Sequence, residues 1–127
     1  ILLLDTSTPE ARLMLIENEA VRHITWQADR QLAHGLLAWM RDALAEQDKT
    51  WANVEGIGVY QGPGSFTGLR IGIAVCNTLA DSLDIAIVGA TGDTWQDDAI
   101  ARLRAHQNDR VVLPEYGRDA RITTQRK

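Results

Sequence analysis

Residues 62–72 read GPGSFTGLRIG. An apolar stretch at 54–60 precedes them and a long apolar segment follows, the layout of a strand, a glycine loop and a helix. Such a junction leaves several unpaired N–H groups at the helix start, all pointing the same way. That arrangement suits an anion, or a second backbone packed very close. No Gly-Lys-Ser/Thr follows, so the loop is not of the Walker type. Thr67 stands where the third glycine of a dinucleotide fingerprint, counted from Gly62 and Gly64, would fall. Generic phosphate loops are therefore excluded. A second candidate is Asp5-Thr6-Ser7-Thr8, an acid followed by three hydroxyls at the end of an apolar run. Such a group can hold a hydrated cation or cradle a phosphate. It also makes a hairpin turn in which Asp5 caps local N–H groups, and the turn is the favoured reading.

The remaining reactive side chains point to structure rather than chemistry. His23, His34 and His106 fall on separate elements without ligand spacing; each reads as a surface or helix-cap residue. Cys76 has no histidine or acid at useful spacing and reads as a core thiol. Ser65 lacks a nucleophile elbow and reads as an N-cap. Trp26, Trp39, Trp51 and Trp95 read as packing residues, and Asp97-Asp98 suits the first turn of a helix.

The elements that must position these groups follow from the pattern of apolar runs. Runs at 1–5, 11–16 and 20–27, joined by short polar connections, predict antiparallel hairpins. Residues 31–47 show helical spacing, then comes the strand at 54–60 and a helix at 65–83. A short buried strand at 85–88, a helix at 94–106 and an edge strand at 111–113 complete the chain. The order βββαβαβα on a mixed five-stranded sheet is an α/β fold of the ribonuclease-H-like class, which sugar kinases, actin and the Hsp70 ATPase use in duplicate. A single lobe over 1–110 is expected, followed by the edge strand and a basic tail to 127.

Composition narrows the function. The 127 residues carry a net charge of −4, but 118–127 hold four basic residues and one acid, +3, leaving −7 on residues 1–117. A body that acidic is a poor independent nucleic-acid binder, and the tail reads as solvated terminal charge. The single cysteine excludes an internal disulfide and fits a reducing compartment. No stretch is apolar enough to span a bilayer, and no charged-then-apolar leader is expected ahead of the fold. The chain opens on Ile1 inside a strand pattern, which implies a native start upstream.

The helix after the loop is unusual. Phe66, Leu69, Gly72, Ile73, Cys76, Leu79 and Leu83 cover about half its circumference at 100° per residue, while Thr67, Ile71, Ala74, Val75 and Thr78 lie on much of the rest. Only Arg70, Asn77 and Asp81 form a polar stripe. A helix apolar nearly all round is buried on two sides. One side is the sheet; the other needs a neighbouring helix or another chain. Gly68 and Gly72, four apart, would let a second backbone approach. The first helix is a milder case, with Ala38 and Ala45 on its outer side.

The stretch from Tyr60 and Gln61 through Gly62, Pro63, Gly64, Ser65, Phe66, Thr67, Gly68, Leu69, Arg70, Ile71 and Gly72 resembles the GRGPGSFTGxRIG signature of the TsaB (YeaZ) family. The resemblance extends to ILLLDTST at 1–8, to His34-x-x-Leu37, to Ile87-Val88-Gly89 and to Pro114-x-Tyr116-x-Arg118. Members are usually close to twice as long, with a second, degenerate lobe, so the chain reads as a reduced or fragmentary version. The catalytic sister TsaD carries a His-x-x-x-His pair where residues 89–96 here hold no histidine; a catalytic metal is not expected.

The resemblance implies a non-catalytic subunit that binds and stabilises a metal-bearing TsaD-like subunit, joined by a TsaE-like ATPase, in tRNA threonylcarbamoyladenosine synthesis in the cytoplasm. Alone it would form a homodimer; tRNA would be met only through the complex, and no membrane is involved. The interface is expected on the first two helices, with Ile71, Ala74, Val75 and Thr78 central and Thr67, Leu37, Arg41 and Leu44 beside them. Arg70 would clamp an acid within the chain or be offered to the partner. No cofactor is expected on the chain alone; an adenine nucleotide touching Asp5, Thr6, Ser7 and Thr8 would belong at the partner interface. The competing class is a minimal nucleotide-dependent phosphotransferase or hydrolase using Asp5 and the glycine loop. The missing lysine, the missing histidines and the doubly apolar helix favour a docking role for the loop.

Overall fold

The structure, a computed structural model, describes residues 1–115. Strand β1 (Leu2–Asp5) is the centre of one five-stranded sheet. It pairs antiparallel with β2 (Glu10–Glu17), which pairs antiparallel with β3 (Ala20–Gln27). On its other side β1 runs parallel to β4 (Gly56–Gly62), and β4 parallel to β5 (Ala86–Thr91), giving the order β3-β2-β1-β4-β5. Helices α1 (Leu32–Glu46), α2 (Phe66–Leu83) and α3 (Trp95–Arg104) follow β3, β4 and β5. This is the βββαβαβα order and mixed sheet that the sequence predicts.

Strand alternation divides the core in two. Leu2 and Leu4 point to one face, where they meet Leu13, Ile57, Val59 and Ile87 and are covered by α1 and α2. Leu3 points to the other, where Met14, Val88, Trp95, Ala99 and Leu103 pack under α3. A central strand covered on both faces needs apolar side chains at consecutive positions, which is why β1 reads as an unbroken run.

Two boundaries differ from expectation. Strand β4 starts at Gly56 because Val54 ends a short 3-10 turn, Trp51–Asn53, that Thr50 opens with a capping box. Strand β5 continues to Thr91 because it pairs with β4 as far as Gly62, a cross-strand bond that the local Gly89-Ala90 sequence does not display.

The expected edge strand at 111–113 is not a strand. Residues 107–115 form a strap across the β5 edge and bond to it largely through side chains. Ile87 N donates to Asn108 Oδ1 at 3.1 Å and Gly89 N to Asp109 Oδ2 at 2.9 Å, while Asp109 N donates to Ile87 O at 2.7 Å. With these edge groups satisfied, no continuous ladder is needed. Residues 116–127, including Tyr116, Arg118 and the basic tail, lie outside the described residues.

Arg102 on α3 secures the strap. Its Nη1 donates to Asp109 Oδ2 at 3.1 Å and to Gly89 O at 3.0 Å, and its Nη2 donates to Asp109 Oδ1. The hydrogen bond from Arg102 holds the Asp109 carboxyl below the usual range, helped by the Gly89 N–H and opposed by partial burial. A carboxyl whose folded pKa lies below its unfolded value of about 3.9 stabilises the fold above that value and ceases to do so as pH falls through the folded one. Thermal midpoints measured from pH 7 to pH 2.5 are expected to fall less steeply on the acid side in Asp109→Asn than in the parent. Superimposable acid limbs would show that the pair contributes nothing.

Candidate functional site: the glycine loop and the outer helix face

Thr6, only 1% exposed, is the buried polar side chain of the described residues, and it sits under the start of α2. Its Oγ1 donates to Gly68 O at 2.6 Å. A Cβ on Gly68 would overlap the Thr6 carbonyl oxygen, and one on Gly72 would overlap Thr6 Oγ1. The first turn of α2 therefore rests directly on the backbone that follows β1. The two glycines do serve a close second backbone, but it is the chain's own rather than that of a docking helix.

Two of the donors at this junction, the N–H groups of Ser65 and Gly68, are taken up within the chain. Ser65 N donates to Ser7 O at 2.9 Å, Ser7 N to Asp5 Oδ1 at 2.8 Å, and Gly68 N to the capping Ser65 Oγ at 3.3 Å. Asp5, Thr6 and Ser7 thus form a turn that receives the loop, with Asp5 closing it from within. Thr8 lies just outside, exposed, its hydroxyl donating to Glu10 O at 2.9 Å. Pro63 follows a cis peptide, and its carbonyl accepts from Tyr60 Oη at 2.9 Å. The Tyr60 ring packs on Trp95 with centroids 5.6 Å apart. Burial, and then the carboxylates of Asp5 and Asp93, push the Tyr60 phenol up.

Beyond the loop, α2 divides its faces. Leu69, Gly72, Ile73, Cys76 and Ala80 are buried. Burial alone pushes the Cys76 thiol up to about 12, which keeps it protonated and inert at neutral pH. Thr67, Ala74 and Thr78 are exposed, and Ile71 and Val75 are half-buried against the core rim. Phe66, grouped by spacing with the inward arc, is 54% exposed, because α2 enters the core only at Gly68 and Leu69. Among the described residues Arg70 forms no ion pair; its guanidinium lies over the Phe66 ring, 5.2 Å from the centroid.

On α1, Leu37 is 49% exposed and Arg41 is exposed beside Asp42, its Nη2 3.2 Å from Oδ1. Leu44 does not belong with them. It is 4% exposed and part of the core under α1, because residue 44 falls on the same inward line as Leu36 and Met40. Between the starts of the two helices runs an open groove of about 740 Å³, lined by Arg30, Leu32, Ala33, Thr67, Gly68 and Ile71 among others. Leu37, Arg41, Thr67, Ile71, Ala74, Val75 and Thr78 thus remain as a mainly uncharged outer surface.

His23 lies on β3, His34 on α1 and His106 just past α3. Among the described residues no three His, Cys, Asp or Glu side chains converge. No helix among them is long and apolar enough to cross a membrane. Sequence reasoning missed Thr6 as the seat of α2, and the roles of Gln61, Asn77, Arg102 and Asp109. Asn77 carried a legible signal, a polar amide in the narrow polar stripe of a mostly apolar helix.

The fold and loop together define a ribonuclease-H-like lobe of the actin-like type. The family model described as "TsaD: tRNA N6-adenosine threonylcarbamoyltransferase" matches residues 25–91, more than half of the chain. The chain belongs to that family and, within it, to the TsaB (YeaZ) group. It is 30% identical over 112 residues to the tRNA threonylcarbamoyladenosine biosynthesis protein TsaB of Haemophilus influenzae, covering 88% of this chain and 47% of that protein. The TsaB of Escherichia coli is 27% identical over 128 residues, covering 94% and 55%. The structure of YeaZ from Pseudomonas aeruginosa superposes with a TM-score of 0.66 at 33% identity, covering 71% of this chain and 42% of that one. The chain thus spans about half the length of these relatives.

Two measurements test the loop's geometry. Gly72→Ala forces a methyl group onto Thr6 Oγ1, which cannot rotate away without losing its bond to Gly68 O, and is expected to cost about 1–3 kcal/mol of stability. A midpoint in urea equal to the parent's would show that α2 does not depend on this seat. Asp5→Asn is expected to lower the midpoint of the Tyr60 phenolate absorbance titration, read as a difference from a Tyr60→Phe control. An unmoved midpoint would place the Asp5 charge too far from the phenol to act.

Proposed function

We propose that this chain is a non-catalytic partner subunit in tRNA threonylcarbamoyladenosine synthesis, which docks through the outer face of α1 and α2 onto a TsaD-like catalytic subunit. The observation that carries the reading is the α2 surface of Ile71, Ala74, Val75 and Thr78, with no charge on it and Leu37 exposed on the neighbouring helix. An uncharged strip of this kind on a pair of packed helices fits another helix pair. In the absence of that partner the strip is free to pair with a second copy, in a symmetric homodimer. A TsaE-like ATPase would join the assembly, tRNA would be met only through it, and the assembly would work in the cytoplasm. The names of the relatives support the pathway; the Ser65 and Gly68 N–H groups, bonded within the chain, support docking over phosphate binding at that loop.

Val75 is half-buried at the rim, so an arginine there can reach solvent without disturbing the core. Val75→Arg is expected to keep the parent's thermal midpoint within about 0.5 kcal/mol in stability. It is also expected to abolish the co-elution of the chain with a TsaD-like subunit on size exclusion. Co-elution unchanged in Val75→Arg would remove the assigned face. Titration of the chain alone with ATP and magnesium addresses the enzymatic alternative: tight binding or turnover there would overturn the scaffold reading.

A further inference from the structure

The strap at 107–115 is held in a way that differs from the rest of the chain. Asn77, near the middle of α2, uses its side-chain amide on the Val112 backbone in both senses: Nδ2 donates to Val112 O and Val112 N donates to Oδ1, each at 2.9 Å. Gln61 at the end of β4 holds the strap further along, once through its side chain and once through its backbone. Its Nε2 donates to Leu113 O at 2.9 Å, and its backbone O accepts from Glu115 N at 2.7 Å. One strap side chain is anchored in the core, Val112, which is 2% exposed, while Val111 and Leu113 on either side of it are exposed. Gly89 makes the room: a Cβ there would stand 2.6 Å from Val112 Cγ1 and 2.5 Å from the Gln61 amide carbon.

Backbone bonds from side chains that line a groove, one apolar anchor, and edge bonds to a strand are the means by which proteins bind extended peptides. A strand joining the sheet would instead make a continuous backbone ladder along the β5 edge. We propose that the groove between α2 and the β5 edge is a peptide-docking site, filled in this chain by its own residues 108–115. Its readers are Asn77 and Gln61 for the main chain, the pocket over Gly89 for a valine-sized anchor, and Arg102 for the acid at the position of Asp109. The occupant latches two parts of the lobe at once. It covers the β5 edge, which would otherwise invite pairing with other chains. It also closes on the first residues of the signature loop, where the Glu115 carbonyl takes the space that a side chain on Gly62 would need.

The test uses the full chain and a synthetic peptide of residues 107–115, read by hydrogen exchange at the Ile87 and Gly89 amides. Val112→Asp places a charge in the anchor pocket and is expected to free the strap, speeding exchange at both amides by about tenfold or more while α1 and β1 keep their protection. Adding the wild-type peptide in trans to this variant is expected to restore protection, and a peptide carrying the same Val112→Asp change is not. In a chain that also carries Asn77→Ala, the wild-type peptide is expected to restore less. Asp109→Ala provides a milder release if Val112→Asp does not fold, and the same rescue is expected. Failure of the wild-type peptide to protect either variant would overturn the proposal, and so would loss of protection throughout the lobe when the strap is released. Either result would make the strap an inseparable part of the core.

Discussion

The seating of α2 on Thr6 is the contact on which the rest of the lobe depends. A helix axis normally stands clear of a strand by the length of the side chains between them. Here Gly68 and Gly72 remove those side chains, and the first turn of α2 meets the Thr6 backbone and hydroxyl directly. The bond from Thr6 Oγ1 to Gly68 O fixes the helix in rotation as well as distance. That rotation places Leu69, Ile73 and Cys76 inward, and Thr67, Ala74 and Thr78 outward. A different seat would turn a different stripe to solvent. The loop's composition and the character of the outer face are therefore one constraint seen at two ends.

The same contact accounts for the turn after β1. Asp5, Thr6 and Ser7 occupy the end of a parallel strand, the place where open α/β sheets commonly receive ligands. In this lobe their groups are turned on one another and on the glycine loop, with Asp5 on Ser7 N and Ser7 O on Ser65 N. Polar residues in a functional-looking pattern here hold two pieces of backbone together. The outer surface of α1 and α2 carries Leu37, Thr67, Ala74, Val75 and Thr78, with the exposed charges of Arg41, Asp42 and Arg70 beside them.

The two edges of the sheet are handled differently. Strand β3 presents eight residues, most of them exposed, at one edge. The β5 edge is covered by the strap, whose asparagine and aspartate side chains stand in for the backbone of a sixth strand. Arg102 ties that cover to α3 and Asn77 ties it to α2, so one segment joins the layers on both faces of the sheet.

Much was determined by the sequence alone. The unbroken run at Leu2, Leu3 and Leu4 marks a strand buried on both faces, and short polar turns between apolar runs prescribe hairpins for β1 to β3. The glycine loop announces a strand-to-helix junction, and the signature within it names the family. These features are local or strictly periodic, so neighbouring residues carry the whole signal. Tertiary structure alone decided the rest. Spacing places Leu44 beside Arg41, yet only the packed sheet shows that its line turns inward. Composition identifies Gly68 and Gly72 as a close-approach pair, and only the fold reveals Thr6 as what approaches. The strap reads as a strand because valine and leucine favour strands. It is not one because Asn108 and Asp109, from the turn before it, reach the β5 edge first. In each case the deciding partner lies far away in sequence, and no local pattern encodes which distant group arrives.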